Sequence, residues 1–319
     1  MLRSFFVYLS KAAWARQIVT RWSIAWRMAS RFVAGDKLED AIAVIKTLNN
    51  KGINATLDHL GEHTTNAEEA SRAVQDILKA LDAIQESGVR ANVSIKLTQI
   101  GLALDRNLCA QNLRQILDYA RTLRNFIRID MEDSSVTQLT LDLLKEMRDG
   151  GYGNVGIVIQ SYLYRSDQDI QNLVKDCFKV RLCKGAYKEP AHIAYPRKAD
   201  VDAAFDRLAE ALMRGALEQG CPLISPDGRF PPMLALATHD EKRIVKAKEF
   251  ARKVNLPKQA VEFQMLYGIR RDLQESLAAE GYPVRVYVPY GTEWYPYFMR
   301  RLGERPANVW FIVSNFFRR

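Results

Sequence analysis

The sequence predicts an α/β fold, a single closed (β/α)8 barrel of the TIM type preceded by a helical arm. Eight short apolar runs of strand length alternate with eight longer helical stretches across residues 53–303. Such regular alternation indicates a parallel sheet covered by helices. The chain has 319 residues and no second pattern interrupts the rhythm, so one barrel accounts for its length.

The predicted strands are short runs rich in valine, isoleucine, leucine and alanine. They cover residues 53–58, 90–97, 126–130, 155–160, 178–183, 233–238, 260–264 and 284–288. The predicted helices between them lie near residues 66–87, 107–123, 134–149, 167–177, 200–219, 240–253, 269–280 and 293–303. One more helix is predicted over residues 37–50, with Asp36 as its N-cap and Gly52 just past its end.

A doubly wound open sheet is the alternative to the barrel. Its dinucleotide fingerprint, GxGxxG after the first strand, is missing from this sequence. The glycine-rich run at residues 150–153 follows a helix and precedes a strand, so we predict a turn there. The irregular stretch 221–232 carries four prolines and is predicted to be a surface loop.

The composition, 48% hydrophobic and 26% charged, is that of a globular protein. The formal net charge of +9 and a pI near 9.3 suit an anionic membrane surface or an anionic ligand. Lysines and arginines are spread among acidic residues, so we do not expect a nucleic-acid partner. The sequence shows no apolar run near the roughly 20 residues of a membrane span, and it leaves the oligomeric state open.

The cysteines and histidines indicate neither a disulfide framework nor a metal site. The four cysteines form no CxxC pair and no cluster with histidine. His59 and His63 are four residues apart, but Gly61 between them argues against a helical metal pair. We therefore expect a reducing, cytoplasmic setting without a metal.

Residues 1–35 are predicted to form the helical arm, and residues 36–319 the barrel domain. Residues 1–31 contain six basic residues, three tryptophans and no acidic residue. A basic aromatic helix can lie on an anionic membrane, which would place the protein peripherally on the inner face of the membrane. Alternatively, the arm packs on its own domain. Both interpretations remain open.

Polar residues end the predicted strands, and barrels of this type carry their chemistry at that end. A polar side chain is costly to bury there unless it is paired. The residues at these ends are Asp58, His59, Lys96, Asp130, Gln160, Arg181, Lys184, Tyr187, Thr238, His239, Gln264, Tyr267 and Tyr287. All eight strands follow this pattern, which predicts an active site at the mouth of the barrel.

The last predicted helix carries a candidate receptor for a small carboxylate. Residues three and four apart share one face of a helix, so Tyr297, Arg300 and Glu304 lie together and Arg301 lies beside them. Arginine binds a carboxylate with a planar fork of donors. Glu304 could orient one of the two guanidinium groups.

The motifs at these positions resemble those of the flavin-dependent proline dehydrogenase family, in its monofunctional form. The matching segments recur in order at residues 94–97, 129–130, 158–160, 180–187, 237–239, 262–268, 286–291 and 297–304. The resemblance spans about residues 35–315, and VRLCKGAY and YFMRRLGE are its most specific segments. Cys183 departs from the aliphatic residue usual in the family, and a small residue of this kind should be tolerated there.

The resemblance implies a distorted barrel that binds FAD at the strand ends and oxidises L-proline to 1-pyrroline-5-carboxylate, with a quinone as electron acceptor. It implies that Asp130 and Arg181 belong to the catalytic centre. The residues implied for the substrate are Lys96, Leu266, Tyr287, Tyr297, Arg300, Arg301 and Glu304. Those implied for FAD are Met131, Gln160, Arg181, Lys184, Gly185, Ala186, Tyr187, Thr238 and His239, and Tyr187 would also enclose the proline ring.

Two other functions remain open from the sequence. One is a different flavin barrel, such as a methylenetetrahydrofolate reductase-like enzyme, which would not need paired arginines on its last helix. The other is a membrane-surface binding protein that has lost its cofactor and acts through the basic arm. The visible spectrum of the purified protein distinguishes these classes.

Overall fold

A computed structural model describes residues 9, 12, 14, 19, 23–61 and 64–304 and confirms a closed barrel. Each strand pairs in parallel with the next one along the chain, and β8 closes the ring on β1. This closure excludes the open sheet. The strands are β1 Asn54–His59, β2 Ala91–Ile95, β3 Ile127–Ile129, β4 Val155–Gln160, β5 Lys179–Cys183, β6 Leu234–Ala237, β7 Val261–Leu266 and β8 Val284–Tyr290.

Helices α1 Ser23–Ala29 and α2 Leu38–Asn50 precede β1, and a helix follows every strand. The helices of the barrel are α3 Ala67–Ser87, α4 Arg106–Thr122, α5 Thr137–Asp149, α6 Ser166–Lys175, α7 Lys198–Glu218, α8 Glu241–Lys253, α9 Arg271–Ala279 and α10 Trp294–Glu304. The apolar core lies between these helices and the outer faces of the strands.

The predicted N-cap of α2 is wrong. Lys37, with an extended backbone, precedes the first turn of the helix, and its side chain makes no capping hydrogen bond. Asp36 lies one residue too early for its carboxylate to serve the first-turn N–H groups. Gly52 does follow the helix. Its φ of +76° lies in the left-handed region, which residues just past the end of a helix often adopt.

The interior of the barrel is polar, because polar side chains occupy the inward-facing, alternate positions of the strands. Barrels of this type usually fill that space with branched apolar side chains. The buried polar residues on the strands are Asn54, Thr56, Asp58, Asn92, Ser94, Arg128, Gln160, Arg181, Glu262, Gln264 and Arg285. Buried polar groups need partners, so hydrogen bonds and ion pairs join the strands across this interior.

The stretch 221–232 is a loop, as predicted, with residues 222–223 and 226–227 exposed, but part of it reaches under the amino-terminal end of the barrel. Gly228 is buried and has φ at +68°. A Cβ on Gly228 would lie 2.3 Å from Oδ1 of Asn54. The Gly228 carbonyl accepts a hydrogen bond of 2.5 Å from Nη2 of Arg285. The loop therefore closes the floor of the barrel.

The expectation that no cysteines pair is also wrong. Cys177, between α6 and β5, forms a disulfide with Cys221, after α7, with 5.6 Å between the Cα atoms. Both cysteines follow the carboxyl ends of neighbouring helices, which brings them together at one end of the barrel. Cys109 and Cys183 are free thiols. Within the described ranges, no cluster of His, Cys, Asp and Glu could hold a metal ion.

The described end of the arm packs on α10. Ala25, Ala29 and Val33 are buried in a cluster with residues of α10. The rings of Trp26 and Trp294 lie 5.3 Å apart. Among the residues that the structure describes, no helix is long and apolar enough to cross a membrane.

Candidate active site

Asp130, directly after β3, is the centre of a hydrogen-bonded cluster at the mouth of the barrel. Its Oδ1 accepts hydrogen bonds of 2.8 Å from Nη1 of Arg181 and 2.8 Å from the Ser94 hydroxyl. Its Oδ2 accepts a hydrogen bond of 2.7 Å from the Tyr287 hydroxyl. Three donors therefore converge on one carboxylate, which suits Asp130 to orient Arg181 and Tyr287 rather than to act as a base.

Arg181 on β5 is fixed by partners on three other strands. Besides Asp130, its Nη1 lies 3.2 Å from the Ser94 hydroxyl, and its Nε donates to Oε1 of Gln264. The guanidinium carbon lies 5.3 Å from the centre of the Tyr287 ring. This cation is thus held in place before any ligand binds.

Tyr287 on β8 stays protonated at neutral pH. Burial raises the pKa of Tyr287 well above its usual value, and the carboxylates of Asp130 and Asp58 raise it further. A phenol in this environment is a hydrogen-bond donor, in agreement with its bond to Asp130.

Lys96, directly after β2, lies in an ion pair with Asp58 of β1, with 3.1 Å between Nζ and Oδ1. Only 2% of the Asp58 side chain and 12% of the Lys96 side chain is exposed. Burial raises the pKa of Asp58, and the charge of Lys96 opposes that rise. The pair therefore presents a positioned ammonium group at the mouth.

The residues expected to contact a flavin lie along the ends of β3 to β6. Nε2 of Gln160 donates to the Met131 carbonyl at 3.4 Å. The Thr238 hydroxyl accepts a hydrogen bond from the amide of Asp240. Nε2 of His239 accepts a hydrogen bond of 2.9 Å from the amide of Leu266, so the neutral imidazole carries its proton on Nδ1.

Lys184, after β5, lies between two carboxylates. Its Nζ is 2.6 Å from Oδ1 of Asp202 and 2.7 Å from Oδ2 of Asp240. Burial is the largest influence on the pKa of Asp240 and raises it, but the hydrogen bond and charge of Lys184, together with the charge of Lys198, outweigh burial and hold the pKa below its ordinary value. The charge of Lys184 is therefore already balanced by the protein.

Gly185 follows Lys184 in a conformation that requires glycine. Its φ is +113°, and a Cβ would lie 2.3 Å from Cδ1 of Tyr162. A glycine here leaves room for a cofactor to approach the backbone. The structure adds a second reason, because the Tyr162 ring occupies the space that a side chain would take. Ala186 is exposed and Tyr187 half-buried.

Replacing Gly185 with alanine should therefore destabilise the loop and weaken cofactor binding. We expect a loss of roughly 1–3 kcal/mol from the left-handed backbone and a further loss of about 1–3 kcal/mol from overlap with Tyr162. Gly281→Ala is the matched control, because Gly281 has φ at +84° with nothing near its Cβ position. Thermal unfolding of both variants tests this, and an equal loss in the two would contradict the role of Tyr162.

Helix α10 carries the two adjacent arginines expected to bind a carboxylate. Arg300 and Arg301 are half-buried, and Tyr297 is 7% exposed. The guanidinium carbon of Arg301 lies 5.2 Å from the centre of the Tyr297 ring. Glu304 is the last residue of the helix, and its side chain lies outside the described part of the chain, as does His63.

The structure thus joins Asp130, Arg181 and Tyr287 in one cluster, and it pairs Lys96 with Asp58. Sequence reasoning placed Asp58 and Gln264 at strand ends without a specific role. It did not single out Ser94 or Glu262, whose side chains contact Asp130 and Gln264. Their signal was the inward-facing alternation on β1, β2 and β7, since each lies two residues from another buried polar residue.

The residues present fit a flavin cofactor. Oε1 of Gln160 is buried and has no hydrogen-bond partner among the residues that the structure describes. A buried polar atom without a partner is costly, so a ligand that donates a hydrogen bond would stabilise it. The glycine loop at residues 184–187, the cation of Arg181 and this acceptor all lie at the same end of the barrel.

Comparisons with known proteins agree on one family. A family model described as proline dehydrogenase matches residues 41–314. Proline dehydrogenase 1 of Bacillus subtilis (strain 168) is 39% identical over 322 residues, covering 100% of both proteins. Proline dehydrogenase of Deinococcus radiodurans is 42% identical over 293 residues, covering 91% of this chain and 90% of that protein.

A solved structure extends this similarity to the fold. Proline utilization A (PutA) from Bdellovibrio bacteriovorus, inactivated by N-propargylglycine, is similar with a TM-score of 0.78 at 26% identity. The similarity covers 87% of this chain and 32% of the other. The chain therefore spans about a third of the length of that larger protein.

Proposed function

The chain belongs to the proline dehydrogenase family, which is flavin-dependent, and we propose that it oxidises L-proline to 1-pyrroline-5-carboxylate with FAD as its cofactor. The observation that carries this proposal is the cluster of Asp130, Arg181 and Tyr287 at the mouth of the barrel. A fixed cation in a partly buried cluster supports this proposal, because a preorganised charge can stabilise charge that develops during a reaction.

The substrate carboxylate is held by cations from two elements. Arg300 and Arg301 of α10 offer planar donors for a bidentate contact, and Lys96 adds a point charge. Stacking on Tyr297 supports the orientation of Arg301. Asp58 fixes Lys96, so the ammonium group needs little reordering when the substrate binds.

The ring of the substrate is enclosed by Tyr187, Leu266, Tyr287 and Tyr297. A hydride leaves a ring carbon readily only when the neighbouring nitrogen is neutral, so enclosure by largely apolar surfaces favours the reactive form. The Tyr287 hydroxyl already donates to Asp130, which fixes the orientation of its ring. Positioning is the main contribution of these side chains.

The cofactor is held by Met131, Gln160, Arg181, Lys184, Gly185, Ala186, Tyr187, Thr238 and His239. Bound FAD would supply a hydride acceptor, which side chains do not offer. Gln160 contributes its buried acceptor Oε1, and Arg181 contributes a positive charge held by Asp130 and Gln264. A quinone is the proposed acceptor of the electrons.

The visible spectrum of the purified protein tests the proposal. We expect a yellow protein whose flavin absorbance bleaches under anaerobic L-proline and stays unchanged under D-proline or glycine. Acid release and chromatography of the cofactor should identify FAD. A colourless protein that binds no added FAD would contradict the cofactor. A yellow protein that proline does not bleach, but that NADH bleaches and methylenetetrahydrofolate reoxidises, would favour the other flavin barrel.

We propose that residues 1–35 act as an arm and residues 36–319 as the catalytic domain, with peripheral contact between the arm and the cytoplasmic face of a membrane. The six basic residues and three tryptophans of residues 1–31 support the membrane contact. Packing of Ala25, Ala29 and Val33 against α10 supports a second role, the support of the arginine helix.

Removal of residues 1–31 should separate these two roles. Without residues 1–31, Trp294 loses the ring of Trp26, and the cluster on α10 loses Ala25 and Ala29. We therefore expect the KM for proline to rise several-fold and the unfolding temperature to fall. Binding to anionic liposomes at low salt should also weaken. Sedimentation with liposomes and steady-state kinetics with a soluble dye acceptor measure both effects.

The matched control exchanges Arg3, Lys11 and Arg16 for glutamine and leaves residues 17–31 in place. It should lose liposome binding and keep the wild-type KM. Undiminished liposome binding by both variants would contradict the membrane contact. An unchanged KM in the truncated protein would contradict support of α10 by the arm.

A further inference from the structure

A chain of buried side chains runs through the barrel interior from its floor to Arg181. Nε of Arg181 donates to Oε1 of Gln264, and Nε2 of Gln264 donates to Oε1 of Glu262. Glu262 forms a bidentate pair with Arg285, at 2.9 Å from Nε and 3.0 Å from Nη2. All four residues are buried, with at most 6% of each residue exposed.

The amide of Gln264 can face only one way in this chain. The guanidinium of Arg181 can only donate, so it requires the amide oxygen. The carboxylate of Glu262 accepts, so it requires the amide nitrogen. Arg285 holds that carboxylate in turn and also donates to the carbonyls of Ala55 and Gly228. The series of contacts therefore ends on backbone carbonyls of β1 and of the floor loop.

Hydrogen bonds at two of its nitrogen atoms, Nη1 and Nε, fix the plane of the Arg181 guanidinium. Nη1 is held by Asp130 and Ser94 at the mouth. Nε donates a hydrogen bond to Gln264 on the side of the barrel interior. A planar group held only at Nη1 could pivot about that contact, and the position of its charge relative to a ligand would vary.

We propose that Gln264 is a positioning residue that fixes Arg181 through the chain Arg285–Glu262–Gln264 and thereby sets the reduction potential of the bound flavin. The proposal rests on the proposed role of Arg181 beside the cofactor. A fixed cation stabilises the charge that the cofactor gains on reduction more than a mobile one does, because a preorganised charge needs no reorganisation.

A purely structural role for Gln264 makes a different prediction. Gln264 would then only satisfy two buried charged groups, and its loss would lower stability without changing the cofactor. Because both roles predict lower stability, the midpoint potential of the flavin, and not thermal unfolding, separates them.

Gln264→Met removes both hydrogen bonds and keeps the length of the side chain. In the holoenzyme we expect the equilibrium constant of flavin reduction to fall at least tenfold, which is about 30 mV for a two-electron couple. The rate of reduction by proline should fall by roughly 10- to 100-fold. The potential is measured by equilibration with a reference dye, independently of turnover.

Thr56→Val is the matched control. The Thr56 hydroxyl donates to Oδ1 of Asn92 at 2.6 Å inside the same barrel, with no hydrogen bond to the chain that ends at Arg181. This variant should lose stability and keep the wild-type potential. A similar fall in the flavin potential of Thr56→Val would overturn the proposal, because any disturbance of the barrel interior would then be enough to lower the potential.

Gln264→Glu should restore the wild-type reduction potential at low pH only. This variant tests the proposal even if Gln264→Met does not fold. Two carboxylates that share one hydrogen bond raise the pKa of one of them strongly. While the introduced carboxyl group is protonated, it can donate to Glu262 and accept from Arg181 as the amide does. We expect a potential near wild type at low pH and a steeper fall than wild type as pH rises and the proton is lost.

The outcomes separate this proposal from the proposed function. If wild-type protein is not bleached by proline, the proposed function fails. If wild type is bleached, but Gln264→Met keeps the wild-type potential or Gln264→Glu follows the wild-type pH slope, only the positioning role is overturned.

Discussion

Replacing Arg301 with methionine should lower kcat/KM for proline by about 30- to 1000-fold while FAD stays bound. Loss of one charge-assisted contact to a shielded carboxylate costs about 2–4 kcal/mol. Methionine keeps much of the apolar side chain over Tyr297, so the packing of α10 should change little. Because the contact anchors the substrate, most of the loss should appear in KM. Steady-state kinetics with a dye acceptor and flavin content after gel filtration measure the two effects.

Arg121→Met is the matched control for this experiment. The Arg121 guanidinium also lies over an aromatic ring, 5.1 Å from the centre of Tyr152, but in the last turn of α4 at the opposite end of the barrel. Its loss should leave the proline kinetics unchanged. Wild-type kinetics in Arg301→Met would remove Arg301 from the carboxylate site, and loss of flavin in that variant would indicate a structural role instead.

The barrel could be predicted from the sequence because its signals are local. Strand and helix periodicities are read within a window of a few residues, and β4 was predicted at residues 155–160, as the structure has it. The alternation of the two element types then implies the parallel order. Residues at the strand ends were found in the same way, since their position along each strand places them at the mouth.

The contacts between those residues could not be predicted, because they depend on register around the closed ring. Tyr287 and Asp130 are 157 positions apart, and they meet across the barrel only through the pairing of every strand between them. Gln264 illustrates the same point. The sequence places it at the end of β7, but only the closed barrel brings it between Arg181 and Glu262, which together set the orientation of its amide.

The disulfide and the contact of loop 221–232 with the barrel floor were missed for a related reason. Short cysteine spacings are the pairing signal that a sequence offers, whereas Cys177 and Cys221 are 44 residues apart. They meet because α6 and α7 are neighbours in the ring and both helices end on the same side. The prolines of residues 221–232 indicated a loop, and the buried Arg285 required an acceptor beneath it, which the Gly228 carbonyl supplies.

Replacing Arg181 with lysine should slow reduction of the bound flavin by about 100- to 1000-fold, the loss typical of removing one preorganised donor from a developing charge. The guanidinium reaches Asp130 and Ser94 through Nη1 and Gln264 through Nε. An ammonium group is a single point and cannot hold both ends. Lysine keeps the charge, so the FAD affinity should fall less than the rate.

Anaerobic stopped-flow reduction by proline measures the rate, and titration of the apoprotein with FAD measures the affinity. A wild-type reduction rate with full flavin occupancy would contradict this role, whereas loss of the flavin alone would assign Arg181 to cofactor binding.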